Sequence, residues 1–287
     1  MILLTGATGT IGSALLPLLA NRDAPVRALS HSPASRERIE ALGVEAVDGD
    51  FDQLDSIEAA MAGCDHVFLL SPPHPDQVRR EEAVIDAAVR GGVGHVVALS
   101  VMGANRSSPA AFARWHAEID DHLMASGTRW TILRPSGFMQ THLLPVDSVR
   151  TEGRWYGMTG DGATAYIDGD AVAAVAATVL TTPGHEGAVY ELTGPRAITM
   201  PEAAAELAQV IGRPVAYVDV PAEQFQANLA GAGLPDWLAG SVAALYRTIR
   251  EGHATTVTNY VEQITGQSPR TYRQMAEARR DDFTDPI

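Results

Sequence analysis

Residues 5–12 read Thr5-Gly6-Ala7-Thr8-Gly9-Thr10-Ile11-Gly12, three glycines at intervals of three, between an apolar run over 1–4 and a segment over 13–20 with apolar residues at helical spacing. A strand, a glycine turn and a helix in that order can hold a pyrophosphate. Gly6 allows the tight turn, Gly9 lets backbone N–H groups approach the anion, and Gly12 lets the helix pack close to the strand. The helix N-terminus then faces the negative charge. The chemistry indicated is dinucleotide binding, with Gly6, Thr8, Gly9, Thr10, Ile11 and Gly12 as the contacting residues.

Other chemistries are excluded by what the chain lacks. All 21 basic residues are arginine. Without lysine there is no phosphate-loop lysine, no Schiff base and no Tyr-x-x-x-Lys pair. Cys64 is the single cysteine, so neither an intrachain disulfide nor a multi-cysteine metal or iron-sulfur site can form, and a reducing, cytoplasmic setting is expected. His74, His95 and His253 have no metal-ligand spacing, and no metal is expected. The formal net charge of -14, with no basic block, argues against nucleic acid and against acidic membrane surfaces. Neither a signal peptide nor a membrane span is expected.

The elements that must position the turn alternate along the chain. Strands are expected over 26–29, 44–48, 66–70, 95–99 and 130–133, with helices over 35–42, 54–61, 78–90 and 110–126 between them. This is the pattern of an α/β, doubly wound parallel sheet, a Rossmann fold. Residues 1–150 are read as the NAD(P)-binding domain and 151–287 as a smaller α/β substrate-binding region, with 165–192 returning to the Rossmann core through a helix over 171–180 and a strand over 189–192. The stretch through Trp155 and Gly162 reads as a loop, 200–211 as a helix, 215–220 as a strand, and Glu277 to Asp285 as a frayed, solvated end.

The glycine turn, Ser100 at the end of the fifth strand, Trp130-Thr131-Ile132-Leu133-Arg134-Pro135 followed by Phe138-Met139-Gln140, His116-x-Glu118 ahead of Ser126-Gly127, Pro183-Gly184-His185-Glu186-Gly187 and Tyr190-Glu191-Leu192-Thr193-Gly194 occur in a characteristic order. With them the chain resembles, over nearly its whole length, the NmrA-like atypical short-chain dehydrogenase/reductase family, which includes bacterial NADPH:quinone oxidoreductases and triphenylmethane reductases. The resemblance implies that His116, at the place of the catalytic lysine of isoflavone-reductase-like enzymes, anchors a ribose or donates a proton. It implies that Ser100 hydrogen-bonds a substrate oxygen and that Asp50-Phe51 lie beside the adenine.

An acid at the end of the second strand favours NAD. Here that window has none, and Ser30, His31, Ser32 and Arg36 could receive a 2′-phosphate, so NADP(H) is favoured over NAD(H); relatives that use NADP commonly carry arginine where His31 stands. Ser71-Pro72, after the fourth strand, should follow the ribose and nicotinamide. Met102, Phe138, Met139, Trp155 and Tyr156 could form a polarisable pocket for a flat aromatic substrate, although core packing would explain each alone. Arg134-Pro135 reads as a strand end, and Asp120 and Asp121 as a solvated helix face.

The activity expected is an NAD(P)H-dependent reductase that passes hydride to a quinone or similar planar conjugated acceptor, an aromatic or quinone-like small molecule. A non-catalytic NADP(H)-sensing regulator, favoured by the missing tyrosine-lysine pair, is one alternative. A tailoring reductase of a secondary-metabolite pathway is another, while an isomerase or dehydratase lacks acid-base machinery. A homodimer through sheet-flanking helices is left open.

Overall fold

Strands rich in Val, Ile, Leu and Ala with no polar alternation are buried on both faces, which is how parallel strands under helices read. The computed structural model describes residues 1–22, 24–143 and 146–284. In it β1 (Ile2–Leu4), β2 (Val26–Ser30), β3 (Glu45–Asp48), β4 (His66–Leu69), β5 (His95–Leu99) and β6 (Arg129–Pro135) pair in parallel. The crossovers are α1 (Thr10–Ala20), α2 (Pro33–Glu40), α3 (Leu54–Met61), α4 (Gln77–Arg90) and α5 (Ala111–Ala125). The chain then leaves this sheet and returns with α6 (Gly169–Thr181) and β7 (Ala188–Leu192). The order is β3-β2-β1-β4-β5-β6-β7. The bonds from Gly187 N–H to the Trp130 carbonyl and from Ser136 N–H to the Leu192 carbonyl advance in the same sense, so β7 is parallel as well.

Two compact units emerge: Met1–Ser108, Phe112–Pro135 and Gly169–Glu191 form the first, and Pro109–Ala111, Ser136–Asp168 and Leu192–Ile287 the second. In the first, α1 packs against α6 with Leu15, Leu16, Leu19, Ala173, Ala176 and Ala177 buried. Cys64 is buried after α3, where burial pushes its thiol up. Thr5 ties β1 to β4 beyond their carboxyl ends: its hydroxyl accepts from the Leu70 N–H at 2.8 Å and donates to the Leu70 carbonyl at 2.9 Å. Strand order reverses between β1 and β4, the place where open α/β sheets leave a crevice.

In the second unit the expected loop around Trp155 is instead a strand, Arg154–Gly157, parallel to Ala216–Asp219. Met200–Ile211 is a helix opened by a Thr199/Glu202 capping box and closed by Gly212 at φ 74°. The chain end also departs from expectation. Tyr272–Ala278 and Arg280–Thr284 are helices, and Tyr272, Met275 and Phe283 are buried with Val149, Leu207 and Ile211. The charges at 279–282 hide this apolar spacing; Asp285 lies outside the described residues. His142 is buried in a nest of Trp155, Tyr166 and Tyr272, ring centroids 4.9, 4.3 and 5.4 Å away. No hydrogen-bond partner reaches either of its ring nitrogens, and burial brings its pKa down to about 3. Among the described residues no helix is long and apolar enough to cross a membrane.

Candidate active site

The glycine turn sits at the carboxyl end of β1 and is shaped by contact distances. Gly6 has φ 64°, and a Cβ there would lie 2.9 Å from the Leu70 carbonyl oxygen. A Cβ on Gly12 would lie 2.1 Å from the Gly6 oxygen and 2.7 Å from the Ala7 Cα, so backbone alone fits at this position. Gly9 is the N-cap of α1, no side chain caps that helix, and no acid stands in its first turn. Its first N–H groups therefore remain for an external anion, with the helix dipole behind them. Gly9 and Thr10 are exposed and Thr8 half-buried, whereas Ile11 and Gly12 are buried, so Ile11 can offer only its backbone. The cradle suits the pyrophosphate of a dinucleotide.

At the end of β2 the four expected residues divide. Ser30 is buried and its hydroxyl is shared with Ser35 at 2.7 Å and the Ser32 carbonyl at 3.0 Å. Ser32 caps α2. Arg36 reaches the Ala46 carbonyl at 2.8 Å, Asp48 at 2.7 Å and Glu40 at 3.3 Å, holding α2 to β3. His31 is exposed. Of the four, His31 alone is exposed, and Ser30, Ser32 and Arg36 are internal ties. Asp50 accepts from the Asp52 N–H at 2.9 Å, shaping the turn after β3, while Phe51 packs half-buried on the core.

Beyond β4, β5 and β6 lies a buried polar layer that joins the expected Ser71, Ser100 and His116 to Gln77, Glu81 and Asp120, which the sequence had not suggested. Ser71 donates to Glu81 Oε1 at 2.6 Å, and Gln77 Nε2 donates to the same oxygen at 2.9 Å. Gln77 Nε2 also stands 3.5 Å from His116 Nε2. Glu81 is 1% exposed, and burial raises its pKa to about 7 against the pull of Ser71 and Gln77. Burial, with a smaller contribution from Arg134, lowers His116 to about 4, so the imidazole is neutral near pH 7. Its role then fits a neutral ribose or ligand contact better than imidazolium acid chemistry. Pro72 is exposed beside Ser71.

Asp120 is not on a solvated face. It is 1% exposed, receiving Ser100 Oγ at 2.9 Å and both Nε and Nη2 of Arg134, at 3.0 and 2.8 Å, on Oδ2. Burial pushes its carboxyl up while Arg134 pulls it down. Arg134 thus does more than end β6, whereas Asp121 is exposed and pairs with Arg106 at 2.6 Å. A signal was present: Gln77 and Glu81 on α4, and His116 and Asp120 on α5, are each four apart, and such pairs share one helix face.

The residues expected to form an aromatic pocket divide between the two units. Met102 is half-buried in the first unit, its N–H bonded to the Pro135 carbonyl at 2.9 Å. In the second unit Met139 and Trp155 are 2% and 3% exposed and belong to the core. Phe138 is half-buried and bridges to Ile167, and Tyr156 is half-buried and donates to Glu152 at 2.7 Å. Packing explains Met139 and Trp155, since large apolar side chains on a short strand and a 3-10 turn bury whatever face the unit offers.

The sequence profile of a family described as NAD(P)H-binding matches residues 6–183. The chain is 38% identical over 278 residues to an NAD(P)H azoreductase of Xenophilus azovorans, covering 97% of each. Among solved structures, an NADPH-dependent quinone oxidoreductase of Escherichia coli complexed with NADPH superposes with a TM-score of 0.89 at 29% identity, over 97% of this chain and 99% of that one. A Citrobacter triphenylmethane reductase complexed with NADP(H) does so with a TM-score of 0.88 at 25% identity, over 97% and 99%.

Proposed function

Because the chain belongs to this NAD(P)H-binding family, the NmrA-like atypical short-chain dehydrogenase/reductases, we infer that it is an NAD(P)H-dependent reductase that transfers hydride to a quinone or similar planar conjugated acceptor. The observation that carries this reading is the cradle at Gly12, where a Cβ would sit 2.1 Å from the Gly6 oxygen, at the head of a helix without a side-chain cap. A reduced nicotinamide dinucleotide bound there supplies the hydride.

The α1 N–H groups hold the pyrophosphate. The carboxyl end of β2 offers the exposed His31 and no acid, which favours a 2′-phosphate and hence NADP(H) over NAD(H). Ser71-Pro72 follow the ribose and nicotinamide, and Asp50-Phe51 the adenine. His116, uncharged and with Gln77 Nε2 3.5 Å from its Nε2, serves as the neutral contact to ribose or acceptor. Ser100 gives its own proton to Asp120 and so offers an oxygen lone pair to the ligand. Met102, half-buried in the first unit, provides apolar contact for a flat substrate.

The test is oxidation of NADPH, followed by nicotinamide absorbance with NADH in parallel, against quinones, azo dyes and triarylmethane dyes. Turnover of at least one class is expected, with kcat/KM reduced about tenfold or more in His116→Ala, the scale of one lost hydrogen bond to a ligand. Tight NADPH binding with no turnover of any acceptor would replace the reductase reading with that of a sensor.

A further inference from the structure

Reduction of a quinone or an azo group by hydride leaves an anion on the acceptor, and that anion needs a proton. This chain has no lysine to assist a tyrosine, and His116 is neutral near pH 7. The buried layer in the first unit holds another candidate. Glu81 is fully enclosed, its Oε1 is fixed by the Ser71 hydroxyl at 2.6 Å and the Gln77 amide at 2.9 Å, and its Oε2 has no partner. A carboxylate with one oxygen buried and unpaired is costly, whereas a carboxyl group in the same place is not charged. Ser71 stands in the segment leaving β4, beside the crevice where β1 and β4 diverge.

We propose that Glu81 is the proton-holding positioning residue of the reduction, acting through the Ser71 hydroxyl. The idea rests on the reductase reading. In the balanced step, a bound reduced nicotinamide would supply the hydride to the acceptor and be left as the oxidised ring. The resulting anion, an oxygen of a quinone or a nitrogen of an azo group, takes the Ser71 proton. With its carboxyl proton on Oε1, Glu81 passes that proton across the 2.6 Å contact to Ser71 Oγ as the Ser71 hydroxyl turns to the acceptor, and the carboxylate is later reprotonated from solvent.

The charged neighbours leave Glu81 poised rather than ionised. From α5 it faces Asp120, a like charge that disfavours its carboxylate and is itself held by Arg134, and the neutral His116. On α4 the adjoining Arg80 turns away to Asp52, which also receives Arg79. Glu82 and Asp86 face His122. From α3, Glu58 is paired with Arg90. Among these groups no cation bonds the carboxyl, and with burial its proton is held to about pH 7.

The experiment is the pH dependence of kcat, with NADPH and a quinone or azo acceptor that turns over, for wild type, Glu81→Gln and Ser71→Ala. Wild type should lose activity above pH 7 as Glu81 ionises. Glu81→Gln keeps an oxygen for Ser71 and should lower kcat by roughly 10² or more, the scale of one general acid, without that limb and with NADPH affinity unchanged. Ser71→Ala should lower kcat and remove the limb in the same way, and it removes a single hydroxyl should Glu81→Gln not fold. A wild-type kcat and limb retained in Glu81→Gln, or in Ser71→Ala, would overturn the proposal and leave the reductase standing. No turnover by wild type would overturn both.

Discussion

At Gly12 one methyl group separates an open cradle from a closed one. In Gly12→Ala the new Cβ would press on the Gly6 oxygen and on Ala7 backbone, which cannot yield as a side chain could. We expect a loss of about 1–3 kcal/mol in stability, as for overpacking elsewhere, and a fall in NADPH affinity of about tenfold or more, seen in a thermal melt and a fluorescence titration. Unchanged affinity would mean that the pyrophosphate does not lie against the turn. This part of the site was legible because its steric demand is written in residue type: only glycine satisfies it. Glu81 and Asp120 were not, because an acid on an amphipathic helix reads as solvent-facing until a burying partner is known. The partners, Ser71 and Arg134, stand on other strands' ends, and only the fold brings them into contact.

At the scale of elements, helices and strands followed their apolar runs. Leu54–Met61, His95–Leu99 and Met200–Ile211 have the bounds that periodicity and caps predict. Arg154–Gly157 was missed because its pairing comes from Ala216–Asp219, far along the chain, and its composition carries a single strongly apolar residue. Helix α2 illustrates a different ambiguity. Its cation Arg36 could be read as a phosphate ligand, yet Asp48, Glu40 and the Ala46 carbonyl already claim it. Arg36→Ala should therefore lower the melting temperature slightly and leave the ratio of NADPH to NADH affinity as it was. A selective loss of NADPH affinity would make Arg36 part of the phosphate pocket.

For the molecule as a whole, buried titratable groups set how stability varies with pH. Burial lowers His95 and His116 to about 4 and His142 to about 3, against about 6.5 in an unfolded chain. Their stabilising neutrality is complete above pH 6.5 and is lost as pH falls toward those values, because the unfolded chain takes up protons that the folded one refuses. Glu81 has the opposite sign: raised to about 7, it binds a proton in the fold that the unfolded chain releases, so its contribution fades as pH rises from about 4.5 to 7. Three histidines outweigh one carboxyl, and stability should fall on acidification below pH 6.5. His142→Phe, filling the same aromatic nest, should flatten that fall by up to about 1.4 kcal/mol per pH unit in denaturant titrations. An unchanged slope would mean that His142 does not resist protonation in the fold.

The unit that carries the glycine turn is discontinuous along the chain. Helix α1, whose N-terminus forms the cradle, rests on α6, which begins at Gly169, and β7 closes the sheet only at Leu192. A ribosome that has released the first six strands has made the glycine turn and still lacks the support beneath it. Until α6 emerges, the apolar flank of α1 is bare, and such exposed surface invites association with other chains. Closing a loop of this length also slows folding, since the entropy is lost before the contacts form. Competence to bind the dinucleotide should thus appear late in synthesis, as a signal that the second excursion of the chain has been completed and the polypeptide has come back.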